Sequence, residues 1–168
     1  MRTPRVFSAL ALCTTLITGI TQADEAALFT TKSLTPETAL KAATAALDKC
    51  RAEGYQVAIA VVDRMGNMQI MIRDRYAGAH TPETARRKAW TATSFRTNTS
   101  DLVDLTAPGQ PQSGVRHVTD ALMLGGGMLI DAGGSLVGAI GVSGAPGGEL
   151  DDLCAETGIA AIEDEISF

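Results

Sequence analysis

Two histidines, His80 and His117, supply all the imidazole side chains of the 168-residue sequence. Imidazole coordinates metal ions and transfers protons near neutral pH, so each histidine is a candidate for binding or catalysis. The alternative for each is a solvated loop residue or a helix cap. An acid–base site would need a carboxylate beside His80, and Asp63 and Asp74 are the candidates, although their distances from His80 do not follow from the sequence.

Four arginines flank His80 in an otherwise acidic sequence, namely Arg73, Arg75, Arg86 and Arg87. A cluster of this kind either makes local ion pairs on a helix surface or binds an anionic group such as a carboxylate. Arg116, beside His117, offers a second guanidinium for the same purpose. The sequence does not decide between local ion pairing and the binding of an anionic group.

Two glycine-containing segments superficially suggest other chemistry. The three glycines 125–127 are not followed by G-K-[ST], and they precede a predicted strand, whereas a dinucleotide fingerprint follows one. We interpret them as positions of close backbone approach or of a bulge. Ser143 lies in a Gly-Val-Ser-Gly-Ala segment, but a nucleophile elbow requires glycine where Ala145 stands. Neither segment predicts catalysis.

The N-terminal residues 1–23 have the layout of a secretory signal peptide. Arg2 and Arg5 precede an uncharged run over residues 6–20, and the small residue Ala23 follows. The run is shorter than the ~20 apolar residues of a membrane-spanning helix and is interrupted by Thr and Gly, which argues against a stable membrane anchor. We predict cleavage after Ala23 and a periplasmic or secreted mature protein.

The remaining residues, 24–168, have the length of one domain. Loss of Arg2 and Arg5 would change the formal net charge from −5 to −7. An acidic surface argues against nucleic-acid binding. Cys50 and Cys154 either pair or stay buried as small apolar residues, and without a C-x-x-C motif they do not indicate a zinc or thioredoxin-type site.

Hydrophobic periodicity predicts the elements that must position these side chains. Thr35-Pro36-Glu37 opens a helix lined with alanines, which would allow close approach to a sheet or to a neighbouring subunit. Residues 57–63 form an apolar strand, and residues 68–73 return as its antiparallel partner. Thr81-Pro82-Glu83 opens a second helix, whose stripe contains Lys88 among alanines and which extends to Phe95.

The second half repeats the pattern. Residues 99–105 form a short helix, and residues 107–114 are predicted to be an irregular, mobile loop. A second hairpin joins residues 128–130 to residues 135–143, and a closing helix starts at Glu149. The fold class is therefore α+β, with a central antiparallel sheet built from two hairpins and flanked by α-helices.

Several segments together resemble a known family. They are the strand 57–63 with its Gly-Asn turn, Lys88-Ala89-Trp90-Thr91-Ala92, Gly125-Gly126-Gly127, the strand 137–144 and Asp151-Asp152-Leu153-Cys154-Ala155. Their order and spacing are similar to the GlcG/HbpS family, also called the haem-degrading domain family, which includes the C-terminal domain of PduO-type proteins. The resemblance covers residues 34–162. Met128 and the segment 107–118 depart from the usual family pattern.

The resemblance implies a compact antiparallel sheet with flanking helices, assembly into homo-oligomers, and binding of haem or another tetrapyrrole. It implies haem storage, scavenging or sensing, with no established enzymatic activity. The alternative is a haem-degrading enzyme or one that transforms a small molecule.

Haem iron accepts imidazole, thiolate, thioether or phenolate ligands, and the resemblance therefore gives the histidines a specific role. His80 is the preferred iron ligand because a predicted helix start anchors its backbone, whereas His117 follows the predicted mobile loop. Tyr76 is the nearest phenolate alternative. Arg87 and Arg116 are candidate partners of the haem propionates.

Overall fold

The structure of the chain is a computed structural model that describes residues 27–167, and the residues from Thr31 onward form one compact unit. The predicted signal peptide and its cleavage point lie outside the described residues. The helices and strands are α1 Pro36–Ala52, β1 Ala58–Asp63, β2 Met68–Arg73, α2 Thr81–Phe95, α3 Thr99–Leu105, a 3-10 helix Ser113–His117, β3 Gly127–Ala132, β4 Ser135–Ser143, α4 Gly148–Ala160 and α5 Glu163–Ile166.

The four strands form one antiparallel sheet in the order β2-β1-β4-β3. The two predicted hairpins are β1–β2 and β3–β4, and they join through antiparallel pairing of β1 with β4. The predicted α+β class is confirmed. The segment 107–114, predicted to be irregular, contains turns and runs into the 3-10 helix, which begins at Ser113.

The two faces of the sheet are covered by different helices. Helices α1 and α4 cover the face that carries Ile59, Val61 and Ile140, where the larger buried side chains lie. Four alanines of α1, Ala39, Ala42, Ala43 and Ala46, are fully buried in this core, so they serve the chain's own packing. Cys50 of α1 and Cys154 of α4 form a disulfide across the same layer. The pairing that the sequence left open is thereby resolved.

Helix α2 covers the opposite face and lies unusually close to it. Its contact layer is almost entirely alanine, with Ala85, Ala89 and Ala92 packed on small residues of β1 and β4. At Gly141 an added Cβ would lie 2.1 Å from the carbonyl oxygen of Ala85. The close approach therefore requires glycine at this position, and it brings the middle of α2 next to the end of β4.

No helix in the described part of the chain, residues 27–167, is long and apolar enough to cross a membrane.

Candidate functional site

A cleft of about 480 Å³ runs along one side of α2. One wall is α2 itself, and the opposite wall is the connection from the end of β4 into α4, residues 143–148. Leu122, Leu124, Ala145 and Pro146 give the lining apolar surface beside its polar side chains. The cleft therefore lies where α2, β4 and α4 meet.

The lining residues of α2 recur at one helical face. His80 precedes the helix, and Thr84, Arg87 and Lys88 follow at intervals of four, three and one residues. At a rise of 1.5 Å per residue, about 12 Å separates His80 from Lys88 along the helix axis. We refer to the part near His80 as the outer end of the cleft, and to the part near Lys88 and Asp151 as the inner end.

His80 is held by its backbone while its ring stays available. Its carbonyl oxygen accepts hydrogen bonds from the amide nitrogen of Thr84 at 3.1 Å and from the Thr84 hydroxyl at 3.0 Å. The ring lies over Gly78, where an added Cβ would come within 2.7 Å of its Cε1. Neither ring nitrogen has a hydrogen-bond partner among residues 27–167. The imidazole is thus anchored and free to accept a ligand.

Arg87 lies at the inner end of the cleft, one residue before Lys88. Its Nη2 donates to the carbonyl oxygen of Ala121 at 2.7 Å, and its Nε donates to that of Asp120 at 3.3 Å. These bonds fix the plane of the guanidinium without neutralising its charge. The charge of the adjacent Arg86 is neutralised by ion pairs with Glu83 and Asp120. Arg86 does not line the cleft.

The inner end of the cleft contains a buried ion pair. The Nζ of Lys88 lies 2.6 Å from Oδ2 of Asp151 and donates to the carbonyl oxygen of Val142 at 2.9 Å. The two side chains are 1% and 5% exposed. Oδ1 of Asp151 accepts the amide N–H of Ala145 at 3.0 Å. Burial raises the pKa of Asp151, and the charge of Lys88 acts in the opposite direction.

The triple-glycine segment makes room for this pair. At Gly126, with φ of +112°, an added Cβ would lie 2.5 Å from the Val142 carbonyl oxygen and 2.8 Å from the Nζ of Lys88. At Gly125 an added Cβ would lie 3.0 Å from the carbonyl carbon of Gly148 at the start of α4. The interpretation of these glycines as positions of close backbone approach is confirmed.

Two polar groups in the lining are left without protein partners. Ser143 is 5% exposed, and its hydroxyl makes no hydrogen bond to any other residue of the described chain. The Oε1 atom of Gln56 is buried and likewise has no partner. Buried polar atoms are normally satisfied, so Gln56 Oε1 is an unused acceptor, and the Ser143 hydroxyl is a donor that is open to the cleft.

The family model of haem-degrading HbpS-like proteins matches residues 34–160. The chain belongs to the HbpS-like family. A double mutant of HbpS from Streptomyces reticuli has 39% sequence identity and a TM-score of 0.75, with 80% of this chain and 90% of that chain covered. A solved complex of PduOC with haem has 31% identity and a TM-score of 0.74, with 77% of this chain and 95% of that chain covered.

Two further proteins are similar to this chain in sequence. Corrinoid adenosyltransferase PduO of Salmonella typhimurium is 33% identical over 120 residues, which are 70% of this chain and 35% of that protein. The chain therefore spans about a third of the length of this relative. A 15.0 kDa protein from the dhaT-dhaS intergenic region of Citrobacter freundii is 32% identical over 129 residues, with 76% of this chain and 90% of that protein covered.

Within this HbpS-like fold, only two of the predicted site residues share the cleft, His80 and Arg87. Tyr76 is 81% exposed and is not part of the lining. His117 is exposed at the end of the 3-10 helix. Arg116 donates to the carbonyl oxygens of Thr106 and Val103, at 2.6 and 2.7 Å. Its guanidinium thus binds the C-terminal end of α3 rather than the cleft.

The two carboxylates considered as partners of His80 have other roles. Asp74 is buried and accepts two hydrogen bonds from Arg51, which, with the amide of Arg75, hold the pKa of Asp74 at about 2 despite burial. Asp63 accepts the amide hydrogens of Met65 and Asn67 in the β1–β2 turn. Neither residue lines the cleft, so the suggested acid–base cluster is not formed.

Lys88, Asp151 and Ser143 line the cleft but were not predicted from the sequence as site residues. A signal for Lys88 was present, because it shares the buried stripe of α2 with Ala85 and Ala89, and a lysine is rarely fully buried without a partner. Nothing in the sequence indicated that Asp151, 63 residues away, is that partner.

Proposed function

We propose that this HbpS-like protein is exported and binds haem for storage, scavenging or sensing. The observation that carries the proposal is that one cleft contains both His80, whose ring nitrogens are free, and Arg87, whose charge is not neutralised. A relative that was solved with haem supports the choice of ligand. The chain's other histidine, His117, does not line this cleft.

The residues of the cleft fit haem in their chemistry. His80 offers an imidazole nitrogen for the iron, and Arg87 offers N–H groups for a propionate. Leu122 and Leu124 offer apolar contact to the porphyrin. Haem would supply a redox-active iron, while the chain would fix its position. Because the His80 backbone is already anchored, little ordering is needed on binding.

Haem titration of the purified protein tests this proposal. We expect a saturable change in the Soret band as haem is added, with one haem bound per chain. The proposal is falsified if no saturable change occurs. Analysis of the products formed with a reductant present separates binding from haem degradation, because a storage or sensing protein returns intact haem.

Export is part of the proposal and has independent support from the disulfide. Disulfides persist in oxidising compartments and are rare in the cytosol, and Cys50 and Cys154 are joined. We expect protein recovered from the periplasm or medium to have an intact mass that begins at Asp24. We also expect it to contain no free thiol. A full-length chain retained in the membrane fraction would contradict the prediction.

We also propose that the protein forms homo-oligomers. The core-facing alanines of α1 are buried within the chain, so the proposal rests on other side chains. Leu40 of α1 and Leu153 of α4 are each about half exposed, at 48% and 49%. Burial of such side chains between copies is favourable. We expect sedimentation velocity at micromolar concentration to give a species larger than the monomer, and a single monomeric species would reject the proposal.

A further inference from the structure

We propose that the inner end of the cleft is a binding site for a carboxylate group, formed by the Ser143 hydroxyl together with Arg87 and Lys88, which line the same cleft. This inference concerns a different part of the cleft from His80, and it does not require haem binding to be correct. Its ligand class is a small carboxylic acid, or a carboxylate carried by a larger molecule.

The strongest observation is the unused hydroxyl of Ser143. Residue 143 pairs with Ala58, whose side chain lies on the α2 face of the sheet, so Ser143 faces α2 as well. The residue is 95% buried, yet its hydroxyl has no acceptor among residues 27–167. The hydroxyl oxygen is not among the fully buried side-chain atoms that lack a partner, so it is open to the cleft and can donate to an oxygen atom of a ligand there.

The charges of the lining select an anion. The cleft has two cations, Arg87 and Lys88, and one carboxylate, Asp151, which gives one net positive charge. The whole chain has a formal net charge of −5. A cationic cleft in an anionic protein concentrates anions locally. One net positive charge matches a carboxylate better than a phosphate, which has between one and two negative charges at neutral pH.

Both cations retain hydrogen-bonding capacity. The Lys88 ammonium has three N–H groups and two acceptors, the Val142 carbonyl and Asp151. The Nη1 group of Arg87 has no partner among the described residues, since the hydrogen bonds to the carbonyl oxygens of residues 120 and 121 come from Nε and Nη2. With the Ser143 hydroxyl, the available hydrogen-bond donors outnumber the two oxygen atoms of a carboxylate.

The carboxylate has two possible sources. One is a free small acid. The other is a propionate of a tetrapyrrole bound at the outer end, because about 12 Å separates His80 from Lys88 along α2. The two sources share the same chemistry at the inner end, and they differ in whether a free acid binds by itself.

Isothermal titration calorimetry of the purified protein with sodium propionate tests the inference. We expect saturable binding in the millimolar range, and no binding of propionamide, which has the same shape without the charge. Ser143→Ala should weaken propionate binding about tenfold, since a hydrogen bond to a charged group contributes about 1.5 kcal/mol. Ser135→Ala is the matched control, because Ser135 lies exposed at the opposite end of β4, and it should leave the affinity unchanged.

Equal binding of propionate and propionamide would overturn the inference, and so would equal propionate affinity of wild type and Ser143→Ala. A titration of Arg87→Gln provides a second readout, since loss of the cation should weaken propionate binding without affecting the response to propionamide. Circular dichroism of each variant establishes that the fold is retained, so that a loss of binding is assigned to the site.

A comparison of haem with its dimethyl ester distinguishes the two sources. If a propionate occupies the inner end, haem should bind at least tenfold more tightly than the ester, and propionate should compete with haem. If propionate binds but haem and its ester bind equally, the free acid is the ligand of this end. Haem binding without any effect of propionate or of esterification would overturn both the carboxylate site and the pairing of Arg87 with a haem propionate, and it would leave haem binding itself intact. Propionate binding without haem binding would support the carboxylate site and reject the proposed haem binding.

Discussion

The His80→Ala variant is expected to bind haem at least tenfold more weakly than the wild type and to give a Soret band at a different wavelength. The ring nitrogens of His80 have no protein partner, so removal of the ring leaves no buried group unsatisfied. The structural cost should therefore be small. A change in the haem spectrum would then report the loss of an iron ligand rather than unfolding.

His117→Ala is the matched control for this experiment. His117 is the same residue type, is also exposed, and lies outside the cleft lining. We expect its haem affinity and spectrum to match those of the wild type. Free imidazole added to His80→Ala should restore a wild-type Soret band, because it can occupy the position of the lost side chain. Unchanged spectra in both histidine variants would reject the ligand assignment while leaving haem binding itself in place.

Tyr76→Phe tests the remaining donor considered from the sequence. The side chain is 81% exposed, and the residue is four positions before His80 in the loop that leads into α2. A change in the Soret band of Tyr76→Phe, combined with no change in His80→Ala, would indicate a phenolate ligand. The present geometry favours the imidazole because its backbone is held by Thr84.

The sequence predicted the elements well because their signals are local. Thr35 accepts a hydrogen bond from the amide of Thr38 and begins α1 where the Thr-Pro-Glu pattern indicated. Continuous apolar runs with short turns produced both hairpins. The order of the sheet was not predicted, because the pairing of β1 with β4 joins segments about 80 residues apart, and local periodicity does not encode such a choice.

The site was predicted only where local sequence determines its geometry. His80 and Arg87 are seven residues apart, so two turns of one helix bring them to the same side, and both line the cleft. Arg116 and His117 failed to reach the cleft because a 3-10 helix, absent from the prediction, directs them elsewhere. The inner end depends on three separate segments, which meet only because Gly126 and Gly141 permit close backbone contact.

The Lys88→Met variant is expected to lose about 3–5 kcal/mol of unfolding free energy at pH 7, the usual cost of breaking a buried ion pair. Methionine replaces the length of the lysine side chain but not its charge. The substitution leaves the carboxylate of Asp151 buried without its cation, and it leaves the Val142 carbonyl without this donor. Urea unfolding followed by circular dichroism measures the loss.

Lys49→Met is the control, because the Lys49–Glu53 pair lies on the exposed side of α1 and exposed pairs contribute about 0–1 kcal/mol. The double variant Lys88→Met with Asp151→Asn should recover part of the loss, since asparagine removes the unpaired charge and can still accept the Ala145 amide hydrogen. A loss in Lys88→Met no larger than that of Lys49→Met would contradict the assignment of a buried, energetically coupled pair.

The pH dependence of Lys88→Met provides an independent test of the same pair. Burial already raises the pKa of Asp151 in the wild type, and removal of the Lys88 charge should raise it further. Between the pKa of the unfolded chain, near 3.8, and this raised value, the folded protein binds more protons than the unfolded chain. Its stability therefore increases as the pH falls through that window. The loss of unfolding free energy in Lys88→Met relative to the wild type should thus shrink from pH 7 towards pH 4. The double variant with Asp151→Asn has no carboxyl group at position 151, so its unfolding free energy should show no such recovery.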